Sequence, residues 1–383
     1  MKSRKLLFAA PVLLAALTVI LSACKKEPAP VTTALTSAVT TETLTETLPV
    51  TTTAPATTET TTVTTTAAPV NAVKVNATQS IVTLEKGLKT AKYQGDAGFS
   101  SFLSGGGAAS DSALTDFLVK YVLKNNPEVI FKILSGGCST VYSDGLFGRN
   151  FDWHTCEAMI LVTSGSGYKS VSTVNLDFVN SSTDYDLTDD IIRLSSVYAP
   201  LDGMNEKGVC ISVNMIPDGG ATIGQSTGKT DLTTSTAVRL VLNKASSAKH
   251  AVELLKNYDL HSSYGYLVHF AICDPSGYSV AVAYINNKMY VTETRVLTNF
   301  YVAKERFGVG SKESKARYDT LNKALDAGKI KDAATMRDAL AGVKADGSGT
   351  FSSTEWTAVY DMKNLTVTYY HRGNYKKGYT VSL

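Results

Sequence analysis

The chain has 383 residues, a formal net charge of +3 and five cysteines. That length leaves room for a leader, a linker and one large or two small folded units. The charge is spread out, with no basic cluster beyond Lys376-Lys377 and the extreme N-terminus, which argues against nucleic acid as a partner.

Lys2, Arg4 and Lys5 precede an apolar run over 6–21 that ends in Leu21-Ser22-Ala23-Cys24. A charged n-region, an apolar h-region and small residues make an export signal rather than a structural helix. Residues 1–23 therefore read as a lipoprotein signal peptide, with Cys24 at the lipidated position. The plainer alternative is an ordinary signal peptide or a lone membrane span. From 31 to 70 about half the residues are threonine, with no lysine or arginine. Such a stretch lacks the apolar surface to offset the entropy of ordering, so 24–77 reads as an anchor cysteine followed by a disordered stalk.

Residues 78–137 read as a helical propeptide. Leu114, Phe117, Leu118, Tyr121 and Val122 recur at helical spacing behind the capping candidates Ser110, Asp111 and Ser112. A second short helix is predicted from Pro127 through Val129, Ile130, Ile133 and Leu134 to Gly136-Gly137. The plainer reading makes both helices permanent parts of an uncleaved protein.

Gly136-Gly137-Cys138-Ser139-Thr140 comes next, and then Gly148-Arg149-Asn150-Phe151-Asp152-Trp153. Cys138 to Tyr142 alternate as a strand, Ser143-Asp144-Gly145 has hairpin-turn chemistry, and Leu146 to Asp152 return beside it. A cysteine attacks only as thiolate, so it needs a base or a cation beside it. If the bond between Gly137 and Cys138 were cut, the α-amine released, with a pKa of about 7.7–8.0, would be that base. The return strand is expected to bring Arg149 and Asp152 near the sulfur, Arg149 to hold the thiolate and Asp152 to orient the ammonium. Gly137, lacking a side chain, would permit the backbone geometry of an N-to-S acyl shift. The plainer reading is a tight Asp-Gly hairpin with a buried cysteine and a surface ion pair.

Downstream, 159–163, 171–179, 209–215, 267–273, 280–284, 289–292 and 356–361 are strand-like, while 233–244 and 247–258 carry helical apolar spacing. Periodicity alone supports an α+β fold. Cys156, Cys210 and Cys273 lack metal-ligand spacing and read as buried thiols, and His269 as a satisfied strand histidine. Asp184, Asp186, Asp189 and Asp190 lack the glycine and glutamate of a calcium loop, so no metal is expected.

Five segments together resemble the choloylglycine hydrolase family of linear amide C–N hydrolases, which includes bile salt hydrolases and penicillin V acylases. They are Cys138-Ser139-Thr140 with the Gly148–Trp153 stretch; Asp202-Gly203-Met204-Asn205-Glu206-Lys207-Gly208 with Cys210-Ile211-Ser212-Val213-Asn214; Leu267 to Asp274 with Gly277; Val296-Leu297-Thr298-Asn299; and Ser314-Lys315-Ala316-Arg317-Tyr318. The resemblance implies a four-layer αββα sandwich of the N-terminal-nucleophile type over 138–383. It makes Asn214 and Asn299 oxyanion-hole donors, lifts Arg317 from a solvated helix face to an active-site cation, and calls for no cofactor. Pre-cysteine segments like 78–137 occur in the related acid ceramidases and N-acylethanolamine acid amidases. The hairpin between Cys138 and Arg149 is shorter than in bile salt hydrolases, but symmetric shortening preserves register, so Arg149 should still reach Cys138.

The expectation is an exported, lipid-anchored hydrolase on the outer face of the cell membrane, either held there or shed after cleavage, acting on a small-molecule amide; a homo-oligomer is compatible with it. An acyltransferase of the same fold is the alternative among enzymes. An uncleaved, inactive surface-binding lipoprotein is the alternative outside them.

Overall fold

The computed structural model describes residues 61–65, 73–75, 80–123, 137–165, 167–179, 187–218, 223–347 and 353–383. All lie within one contact unit, Thr57–Leu383. The export signal, Cys24 and the expected helix around Ile130 fall outside the described residues.

Two large sheets carry the architecture. Across the first, in spatial order, run β16 (Val296–Leu297), β5 (Gly137–Ser143), β6 (Leu146–Trp153), β17 (Ser353–Asp361), β18 (Thr366–His371), β19 (Gly378–Ser382), β1 (Thr61–Thr65) and β2 (Val73–Val75). Across the second run β15 (Lys288–Glu293), β14 (Ser279–Ile285), β13 (Leu267–Cys273), β10 (Cys210–Ile216), β9 (Asp202–Asn205), β8 (Ser170–Asn175), β7 (Ala158–Ser164), β4 (Leu88–Gln94) and β3 (Val82–Glu85). A short parallel pair, β11 (Thr230–Thr233) and β12 (Tyr258–His261), stands apart.

The inner faces of the two sheets share one apolar core, in which Phe151 of β6 stacks on Trp356 of β17 with ring centroids 4.0 Å apart. Helices cover the outer faces. On the second sheet lie α4 (Thr234–Lys244), which packs on β9 and β10, and α5 (Ala248–Lys256), which packs on β13 and β14, while the short α3 (Asp189–Ser196) packs against β4. On the first sheet lie α6 (Lys312–Asp326) and α7 (Ala333–Ala341), sealed by a second core of Val141, Leu146, Val296, Leu321, Met336 and Leu340 among others. A Cβ at Gly148 would come within 2.7 Å of Leu340 and 2.8 Å of Met336, so the glycine lets α7 lie directly on β6. This is the expected layer order, helix, sheet, sheet, helix.

Two expectations change. Thr61–Thr65, inside the threonine-rich stretch, pairs antiparallel with β19; threonine is β-branched and suits a strand where a sheet edge is offered. The segment before Cys138 is not purely helical. Val82–Glu85 and Leu88–Gln94 form a hairpin through Gly87, which has φ 87°, and Leu88–Gln94 runs parallel to β7 over seven residue pairs. Only then come the helices α1 (Phe99–Ser104) and α2 (Asp111–Phe117, capped by Ser110), the latter continuing as a π-turn through Leu118–Val122. The strand expected over 171–179 ends at Asn175, whose side chain accepts from the Asp177 N–H and turns the chain into a 3₁₀ segment.

Candidate active site

The hairpin of β5 and β6 turns through Asp144 (φ 43°) and Gly145 (φ 84°), the two positive-φ positions of a two-residue connection. Its register sets Cys138 opposite Phe151, Thr140 opposite Arg149 and Gly137 opposite Asp152. Side chains alternate between the two faces of a strand, so this register divides the site residues.

Facing the second sheet are Cys138 and Arg149, both fully buried. Arg149 Nη2 donates to Cys138 Sγ at 3.3 Å and to the Val213 carbonyl at 2.9 Å. Its Nη1 donates to the Leu201 carbonyl at 2.5 Å and to Asp202 Oδ2 at 2.6 Å. The thiol itself points to the Val213 carbonyl at 3.4 Å. Burial pushes the Cys138 thiol up, against the pull of the Arg149 guanidinium. For Arg149, burial works against the charge, but Cys138 and Asp202 outweigh it and hold the guanidinium firmly protonated.

Toward α6 lie Asp152 and Arg317. Arg317 Nη1 donates to the Cys138 carbonyl at 2.9 Å and to Ser139 Oγ at 2.6 Å, and stands 3.3 Å from Asp152 Oδ2; its Nη2 reaches Asn299 Oδ1 at 2.8 Å. Asp152 Oδ1 accepts from Thr354 Oγ1 at 2.6 Å. Burial raises the Asp152 carboxyl and the nearby Arg317 opposes it. Asp152 is expected near the sulfur, and its charge does act on the Cys138 thiol, although its side chain reaches Arg317 rather than Sγ. Three positions from Arg149 along a strand is an odd step, so its side chain emerges on the opposite face and engages Arg317 instead.

Asn299 closes the site at the backbone nitrogen, its Oδ1 accepting from the Cys138 N–H at 2.8 Å and its Nδ2 donating to the Met215 carbonyl at 2.7 Å. The first turn of α6 fixes it, because the Asn299 N–H donates to Ser314 Oγ at 2.5 Å and Thr298 Oγ1 donates to the Ser314 carbonyl at 3.0 Å. Asn214 lies on β10 with Nδ2 donating to the Leu297 carbonyl at 3.2 Å and Oδ1 accepting from Ser212 Oγ. All six expected residues thus meet where β5, β6, β10, β16 and α6 converge.

Two contributors lacked an assigned role in the sequence reading. Asp202 is a fully buried carboxylate that accepts from Arg149, Thr173 Oγ1 (2.6 Å), Trp356 Nε1 (3.0 Å) and Tyr360 OH (2.5 Å). Ser314 is the other, and its place three residues before Arg317 on one helix was the available signal. Among the described residues, no group of three or more His, Cys, Asp or Glu side chains is placed to hold a metal ion.

Residues 138–303 match the family described as linear amide C–N hydrolases, choloylglycine hydrolase family, and the match begins at Cys138 itself. Over this stretch the chain matches that family. Its members are hydrolases acting on linear amide C–N bonds, and so is this protein. Among solved structures, the hydrolase is similar to a mutant of conjugated bile acid hydrolase from Clostridium perfringens, with 17% identity, 63% of this chain and 91% of that chain covered, and TM-score 0.48. It is also similar to penicillin V acylase from Agrobacterium tumefaciens (19%, 61% and 82%, TM-score 0.46) and to the Caenorhabditis elegans ortholog of N-acylethanolamine-hydrolyzing acid amidase (12%, 59% and 92%, TM-score 0.38). Comparison with curated protein sequences gave no match.

Proposed function

We propose that the hydrolase uses Cys138 as its nucleophile, unmasked by cleavage of the Gly137–Cys138 bond. The observation that carries the reading is the buried contact of Arg149 Nη2 with Cys138 Sγ at 3.3 Å, made while Asn299 Oδ1 holds the Cys138 nitrogen at 2.8 Å. One cation addresses the sulfur and one acceptor addresses the atom that would become the amine.

In the precursor, Sγ attacks the Gly137 carbonyl, the C–N bond breaks and the Cys138 amine takes the proton. Water then hydrolyses the thioester, leaving a Gly137 carboxylate and a free Cys138. In turnover the amine accepts the thiol proton, the thiolate adds to the substrate carbonyl beside Arg149, and the oxyanion is met by amide donors for which Asn214 and Asn299 are the candidates. The amine returns its proton to the leaving amine, and water releases the acyl group. Cys138 has no exposed surface in the uncut chain, so a substrate carbonyl gains access only through a local rearrangement around the new N-terminus.

The substrate is a linear amide drawn from conjugated bile salts, N-acyl amides or penicillin V, and the enzyme is anchored outside the cell through Cys24. Assaying wild type and Cys138→Ser against those three substrates tests the reading. Wild type should turn over at least one, and Cys138→Ser should lose that activity, because a serine hydroxyl has far less anionic character at neutral pH. Equal turnover by the variant would refute the assignment. Transfer of the acyl group to an added amine in preference to water would favour the acyltransferase alternative.

A further inference from the structure

Cys210 and Cys273 are 63 positions apart in sequence, yet the antiparallel register of β10 and β13 makes them direct partners. Directly opposed residues of such a pair have Cα atoms about 4.5–5.5 Å apart, inside the roughly 4.4–6.8 Å that a disulfide spans. Both side chains are buried on one face of the sheet and close enough for one thiol to hydrogen-bond the other. Both are free thiols. Cys210 opens β10 and Cys273 closes β13, so the pair is the last rung of the ladder, where local opening costs least.

We propose that Cys210 and Cys273 form a cross-strand disulfide when the chain folds in the presence of a disulfide oxidant. Two S–H bonds break and one S–S bond forms; the two electrons and two protons pass to the oxidant, which becomes two thiols. The closed sheet hides both sulfurs, and burial together with each thiol's neighbour holds Cys210 well above the usual thiol range. The reaction therefore belongs to folding, before the last rung is sealed, rather than to the finished molecule. The bond closes a loop over residues 211–272, which carries Asn214, and so ties the strand bearing that residue to its neighbour.

The test uses the wild-type chain refolded in buffered oxidised and reduced glutathione, then denatured without reductant, alkylated, digested and mapped by mass spectrometry. The expected result is one linked peptide joining Cys210 to Cys273, with Cys138 and Cys156 alkylated, and a melting temperature several degrees above that of the same protein refolded in dithiothreitol. Alkylation of all four cysteines, a link between any other pair, or an unchanged melting temperature would overturn the proposal.

Discussion

Arg149 can hold a thiolate only if its own charge is anchored, and Asp202 does the anchoring from the opposite sheet, 2.6 Å away. Breaking one side of such a buried pair costs about 3–5 kcal/mol because the remaining charge is stranded. Asp202→Asn should therefore lower stability by that order and reduce kcat at least tenfold with KM little changed, since the lost effect is on the sulfur. Urea denaturation and steady-state kinetics check both, and a change confined to KM would remove Asp202 from the mechanism. His269 tests the interior differently. Its Nε2 meets the Thr298 carbonyl at 2.7 Å, yet burial lowers its pKa from 6.5 to about 4. Between those values the unfolded chain binds a proton that the native one refuses, so stability present above pH 6.5 drains as pH falls toward 4, by about 3 kcal/mol in all. Comparing wild type with His269→Gln at pH 7 and pH 5 should show the variant losing less on acidification; parallel losses would contradict this. The motifs made Cys138, Arg149, Asn214, Asn299 and Arg317 legible, and the odd step from 149 to 152 already held the information that Asp152 faces elsewhere. Asp202 and the Cys210–Cys273 rung were not legible, because each depends on which distant strand lies opposite.

The segment before Cys138 is the element whose role changes most. Parallel pairing of Leu88–Gln94 with Ala158–Ser164 makes part of it a strand of the catalytic domain's own sheet. Phe102 of α1 adds ring contacts to Phe99, Phe117 and Tyr198 at 5.7, 5.2 and 5.8 Å. A piece tied in by backbone hydrogen bonds and an aromatic cluster should stay bound after cleavage. Cut protein is expected to elute as one species on gel filtration, and Phe102→Ala, a loss of about 3–5 kcal/mol, should let the two pieces separate. Separation of the wild-type pieces without denaturant would show that cleavage is a release step. The helical spacing from Leu114 to Val122 was readable, whereas Val82 to Gln94 was missed. Lys86-Gly87 was the available turn signal, but Leu88-Lys89-Thr90-Ala91 alternates too weakly to announce a strand whose inward face is decided by β7.

For the whole molecule, the layers explain why the chemistry waits. Cys138 lies between two sheets, with Arg149 and Asp202 on its inner side and Arg317 holding its carbonyl from the helix layer. In the proposed mechanism the arrangement is complete before any amine exists, and the missing base is the one group that cleavage would supply. Intact-mass measurement of the purified protein tests this most directly. The account predicts two chains, the second beginning at Cys138, in every preparation that hydrolyses an amide. A single uncut chain with full turnover, or a cut at another bond, would contradict it.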